Sequence, residues 1–156
     1  MRIAVSGHRG LPAQTARLVD AALRAELAVH SHDLTGLSCL ADGADHIFAR
    51  AVVELGGRLE AVIPADFYRA GLPPAAHPEY DDLLSSADVV HRLPYPEPTD
   101  ESYLAASTFM VDRSEVLLAI WDGEPSRGHG GTADVVAYAR AQGKPVKVVW
   151  PAGAIR

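Results

Sequence analysis

Three glycine-bearing stretches of this sequence carry residues that could hold an anion or a sugar. The first, SGHRGLP (residues 6–12), places Gly7 and Gly10 around His8 and Arg9. Glycines there allow a tight turn and a close approach of backbone to ligand, and an arginine can grip a phosphate through two parallel hydrogen bonds. A solvated arginine in an ordinary turn is the competing reading. The second stretch, WDGEPSRGHGGTADVVAYA (121–139), runs through Gly123, Arg127, Gly128, Gly130 and Gly131 into a helix expected near Thr132. Each glycine loses much backbone entropy on ordering, so four of them with an arginine ahead of a helix suit a loop that a phosphate approaches closely.

Other residues of these loops have two readings each. Thr132 either caps the helix or offers its hydroxyl to a ligand. Asp134 lies in the first turn, where a carboxylate favours the positive end of the dipole, and is also the leading candidate for a catalytic carboxylate. In the third stretch, SCLADGADHIFARA (38–51), Gly43 serves close packing or ligand approach, and Asp42 and Asp45 serve as caps or bind sugar hydroxyls. Asp122 is a further candidate for reading a ribose. Trp121 or Tyr68 would meet a base, although tryptophan also covers sheet ends. The glycines do not have the lysine-bearing spacing of nucleoside triphosphatases or the dinucleotide fingerprint, so triphosphate hydrolysis has little support.

These loops need elements to hold them. Short apolar runs recur as RIAVSG, DLTGLSCL, RLEAVIP, DVVHRLP, EVLLAIWDG and PVKVVWP, with helically spaced segments between most of them. Ala16, Val19, Leu23 and Leu27 share one helix face, as do Ile47, Ala51 and Leu55 in the next segment. Near-continuous apolar strands alternating with amphipathic helices predict a mainly parallel sheet covered on both faces. The expected fold is α/β, a Rossmann-like doubly wound sandwich. The segments FYRAGLPPAAHPEY (67–80) and LPYPEPTDE (93–101) read as irregular, proline-rich connections on the ligand side of the sheet.

Composition bounds the rest. A chain of 156 residues, 48% of them hydrophobic, predicts one domain spanning residues 1–156. A net charge of -6 predicts no nucleic-acid and no membrane partner, because both need a cationic field, and leaves a small molecule as the expected ligand. The single cysteine, Cys39, and the lack of a leader or long apolar span predict a cytoplasmic protein. The seven histidines show no metal-ligand spacing, so neither a metal nor a cofactor is expected.

With these residues in view, the sequence resembles the SLOG superfamily, the Rossmann-like group that includes the LOG nucleotide phosphoribohydrolases, DprA and nucleotide-sensing domains of bacterial defence systems. Ser38, Ala41, Gly43 and Asp45 match the serine-glycine-x-alanine-x-glycine-isoleucine-aspartate segment of DprA, with Cys39 in place of a glycine. RGHGGT is similar to the LOG proline-glycine-glycine-x-glycine-threonine loop, matched at Gly128, Gly131 and Thr132, with His129 in place of a motif glycine. The resemblance implies a nucleotide site and a homo-oligomer, expected to be a dimer. In LOG enzymes a glutamate follows the glycine-threonine pair after two residues. Here that position is Val135, and Asp134 lies one residue earlier, a rotation of about 100° on a helix.

Two functions follow as expectations. The first is a receptor for a nucleotide or nucleotide-derived signal, with Arg9, Arg127 and the glycine amides on phosphate and Asp42, Asp45 or Asp122 on ribose. The alternative is an N-glycosidase that cleaves the base-ribose bond of a nucleotide, with Asp134, Asp122 and Asp45 as the available carboxylates.

Overall fold

The computed structural model describes residues 1–126 and 131–156. Six strands form one sheet: β1 (Arg2–Gly7), β2 (Thr35–Ser38), β3 (Arg58–Ile63), β4 (Val89–Arg92), β5 (Val116–Ile120) and β6 (Val146–Val148). Their order is β4-β3-β2-β1-β5-β6, and every neighbouring pair is parallel. The chain steps outward from β1 to β4, then returns to the other side of β1 to lay down β5. The C-terminal ends of β1 and β5 therefore flank the point where the winding direction reverses, the crevice in which such sheets take ligands.

Strand periodicity decides which helices cover which face. Ile3 and Val5 of β1 point into one core layer with Leu118 and Ile120, whereas Ala4 points into the other with Leu117 and Ala119. The first layer is completed by α1 (Ala13–Ala28), α2 (Ala44–Glu54) and α4 (His77–Ser86); the second by α5 (Asp100–Asp112) and α6 (Thr132–Ala141). α1 starts directly after Pro12 and buries Thr15, Val19, Leu23 and Leu27, a four-residue repeat that turns one stripe to the sheet. Full burial of each such leucine contributes about 2 kcal/mol. Among the described residues no helix is long and apolar enough to cross a membrane.

The proline-rich segment 67–80 is more regular than its composition predicts. It forms a short helix α3 (Tyr68–Gly71), a 3-10 turn (Pro74–Ala76) and the start of α4. Pro74 and Pro78 stand in first-turn positions, where a missing N–H is not needed, and so begin helices instead of ending them. Tyr80 and Leu83, three residues apart, are buried and dock α4. The second proline-rich connection is tied to the first, with Asp66 N donating to Tyr95 O (2.9 Å) and Phe67 N to Pro96 O (3.0 Å). It ends in a capping box in which Thr99 and Ser102 satisfy each other's backbone amides at the head of α5.

Candidate functional site

The turns that follow β1 and β5 meet. Gly7 is in register with Ile120, and the His8 amide extends the pairing by donating to Ile120 O at 3.1 Å. The imidazole then crosses to the second turn, with Nε2 3.1 Å from the Asp122 amide nitrogen and 3.1 Å from Asp122 Oδ1. His8 is 5% exposed and its ring packs edge-on against Trp150 at 5.5 Å. It joins the turns from within the core. Burial works against the Asp122 charge, but the Glu124 amide and His8 together hold its carboxyl below the ordinary range.

A third turn, between β2 and α2, is pressed against the first. Gly43 has φ +86°, and a Cβ there would stand 2.7 Å from His8 O and 3.0 Å from Arg9 Cα. Only glycine permits that approach, which lets the Ala44 amide donate to His8 O at 3.1 Å. The same proximity pairs two side chains predicted to serve a ligand separately: Arg9 Nε and Nη2 both lie 2.8 Å from Asp42 Oδ1, and the Gly10 amide donates to Asp42 Oδ2 at 3.2 Å. The Arg9 side chain is 44% exposed, so this pair holds the arginine weakly, by roughly 0–1 kcal/mol. The Ser38, Ala41, Gly43 and Asp45 pattern is accordingly a self-supporting turn. Ser38 Oγ accepts from the Leu40 amide (3.1 Å) and Asp45 Oδ2 accepts from the Ala41 amide (3.2 Å).

Over these turns lies a cavity of about 470 Å³, bounded by the ends of β1, β2 and β3, by α3 and α5, and by the start of α6. Of the residues singled out in the sequence, Gly7, His8, Arg9, Asp45, Tyr68, Gly131 and Thr132 line it. Gly10, Asp42 and Gly43 stand behind it as scaffold, and Asp122 and Gly123 form the turn after β5. Asp134 does not line the cavity; its amide donates to Gly131 O at 3.0 Å and to Ser126 Oγ at 3.3 Å in the first turn of α6. Val135 is 1% exposed in the second core layer. Arg127, Gly128 and Gly130 lie outside the described residues. Trp121 does not line the cavity, and its indole N–H donates to Glu124 O at 2.8 Å.

The cavity has a polar mouth and an apolar floor. At the mouth are Arg9, Arg156 and Asp100, together with the N-terminus of α6, whose cap residue Gly131 has no side chain to offer. Gly131 and Thr132, the cap and the first residue of α6, both line the cavity, so the positive end of this helix borders it. Deeper lie Cys39, Met110, Tyr68 and Tyr103. Cys39 Sγ sits 3.9 Å from Met110 Sδ, and the Tyr68 ring is tilted against Tyr103 with centroids 6.1 Å apart. Burial pushes the Cys39 thiol and the Tyr68 phenol well above their usual ranges, so both stay neutral. α5 supplies Asp100, Tyr103, Ser107 and Met110, a wall the motif search missed. Their spacing of three, four and three residues does place them on one helix face.

No family model matches the sequence, and no curated protein is similar to it at a significant level. Solved structures are similar. DprA from Streptococcus pneumoniae superposes with a TM-score of 0.71 at 21% identity, over 94% of this chain and 49% of that one. DprA from Helicobacter pylori, solved for its single-stranded DNA binding mode, gives 0.71 at 17% identity over 99% and 67%. A molybdenum cofactor binding protein from Rippkaea orientalis gives 0.63 at 17% identity over 94% and 74%. The α/β, all-parallel Rossmann-like fold expected from the sequence is the one these proteins share. At these identities it is the fold that is shared, and the chain spans about half the length of the Streptococcus pneumoniae protein.

One expectation is corrected by these structural neighbours. The net charge of -6 predicted no nucleic-acid partner, yet a structure with this fold binds single-stranded DNA. Net charge sums the whole surface, whereas a polyanion answers to the local field, so a negative total does not exclude such a partner.

Proposed function

We propose that this protein binds a nucleotide-class ligand in the cavity at the C-terminal ends of β1 and β5. The observation that carries this reading is the sorting of the cavity wall. Arg9, Arg156 and the N-terminus of α6 stand at the mouth beside the single carboxyl of Asp100, where a phosphate would be held, and neutral aromatic and sulfur-bearing side chains lie below, where a base would be buried. Arg9 would exchange Asp42 for phosphate, the α6 N-terminus would donate from Thr132 and Ala133, and Tyr68, Tyr103 and Met110 would contact the ring. The base-releasing alternative would have to use Asp45 or Asp100, the carboxylates that line the cavity among the described residues.

Isothermal titration with AMP, GMP, their 3′,5′-cyclic forms and a short oligothymidylate tests this, with the mass of each ligand checked after incubation. The oligonucleotide is included because the DprA neighbour binds the corresponding polymer. The expected result is saturable binding of at least one phosphate-bearing member, weakened about tenfold in Arg9→Ala by the lost charged hydrogen bond. No saturable binding, or an Arg9→Ala affinity equal to the parent's, would overturn the proposal.

A further inference from the structure

Asp45 is the one carboxyl group on the cavity floor whose surroundings leave it half used. It sits in the first turn of α2 and is 8% exposed. Its Oδ2 accepts from the Ala41 amide at 3.2 Å, whereas Oδ1 takes no hydrogen bond among the described residues. That oxygen is nonetheless not sealed off, since no buried side-chain oxygen or nitrogen among the described residues lacks a partner. Its remaining exposure is to the cavity that Asp45 lines.

The charged neighbours do not make up for this. Arg9, on the turn after β1, is paired with Asp42. Asp42, on the same turn as Asp45, is itself acidic. The other titratable groups that line the cavity are Cys39 at the end of β2, Tyr68 on α3, Asp100 and Tyr103 on α5, His8 after β1, and Arg156. His8 and Arg156 are both engaged with Asp122. A carboxylate with one amide donor and no cation of its own is costly to bury, and a neutral carboxylic acid is not.

We infer that Asp45 is a specificity-determining residue that meets the ligand as a neutral acid, its Oδ1 hydroxyl donating to an uncharged acceptor such as a ring nitrogen or carbonyl of a heteroaromatic base. This rests on the nucleotide reading above and adds to it which ligand atoms are read and at what pH. In support, burial, opposed by the Ala41 amide and by Arg9 and assisted by Asp42, pushes the Asp45 carboxyl up to about 7. Protonated near neutrality, it selects against ligands that present a donor at that point, and the selection reverses once it ionises.

The test uses 3′,5′-cyclic AMP and cyclic GMP, whose phosphodiesters do not titrate between pH 5.5 and 8.5. Binding to the whole chain and to Asp45→Asn is measured across that range, and the Asp45 carboxyl carbon is followed by NMR in the ligand-free protein. The expected result is a carboxyl midpoint near 7, parent affinity about tenfold weaker at pH 8 than at pH 6 for the preferred probe, and a flat profile in Asp45→Asn, whose amide still donates. A carboxyl midpoint below 5 would overturn the inference whatever binds. So would binding that strengthens as pH rises, or a pH profile that survives in Asp45→Asn and so belongs to another group such as His8. Binding without proton linkage, or no binding of either cyclic nucleotide at any pH, overturns this inference alone; the nucleotide reading falls with it where AMP, GMP and the oligothymidylate also fail to bind.

Discussion

If Asp45 is a neutral acid in the folded chain, replacing it with asparagine changes stability in a pH-dependent way whose sign and size are fixed in advance. The folded carboxyl is raised from 3.8 to about 7, a tightening of proton binding by roughly three powers of ten at about 1.4 kcal/mol each, or about 4 kcal/mol in all. The raised value means that the folded state holds this proton more tightly than the unfolded chain does. The contribution is therefore complete below 3.8 and is lost as pH rises through 7. About 3 kcal/mol of that loss falls between pH 5 and pH 8. Asparagine matches the shape and does not titrate, so urea unfolding of the two proteins at pH 5, 6.5 and 8 isolates what the carboxyl's proton contributes. The stability of Asp45→Asn relative to the parent should improve by about 3 kcal/mol from pH 5 to pH 8. A difference that stays constant across this range, or that moves the other way, would refute the reasoning, because the carboxyl would then ionise as easily in the fold as in water.

Gly43→Ala should destabilise the protein by about 3 kcal/mol, since it combines a left-handed backbone with a Cβ 2.7 Å from His8 O, whereas Gly56→Ala, with φ +79° and open space around it, should cost only about 1 kcal/mol; urea midpoints compare the two. Asp42→Asn should tighten binding of a phosphate-bearing probe by about two- to fivefold in the same titration calorimetry that weakens with Arg9→Ala, because the guanidinium no longer has to leave a carboxylate. An unchanged affinity in Asp42→Asn would mean that Arg9 stays where it is when ligand enters.

The sheet was legible because parallel strands buried on both faces leave near-continuous apolar runs, and each of the six runs contains an observed strand. Helix α4 was not, since its only fully buried side chains are Tyr80 and Leu83, and the prolines before it mark a helix start as readily as a break. The meeting of the turns after β1 and β5 could be expected from two glycine stretches that each follow a strand. The Arg9–Asp42 pair could not: the residues are 33 apart in sequence, and nothing local says that Gly43 lets one turn lie on the other. The same holds for Asp45, whose identity suggested a cap or a sugar contact and whose chemistry comes from the protein packed around it. The α5 wall was readable in principle from Asp100, Tyr103, Ser107 and Met110, but helix spacing alone does not distinguish a cavity wall from a core face.

The most direct test of the site itself is a two-dimensional amide NMR titration of the labelled protein with AMP, GMP, their 3′,5′-cyclic forms and the oligothymidylate, each in turn. If the ligand sits where the winding of the sheet reverses, the amides of Gly7, Arg9, Gly131 and Thr132 shift together along one binding isotherm, joined by Tyr103 on α5. Shifts concentrated instead at the opposite end of the strands, around Met1, Glu115 and Lys147, or no shifts at any ligand concentration, would contradict the account.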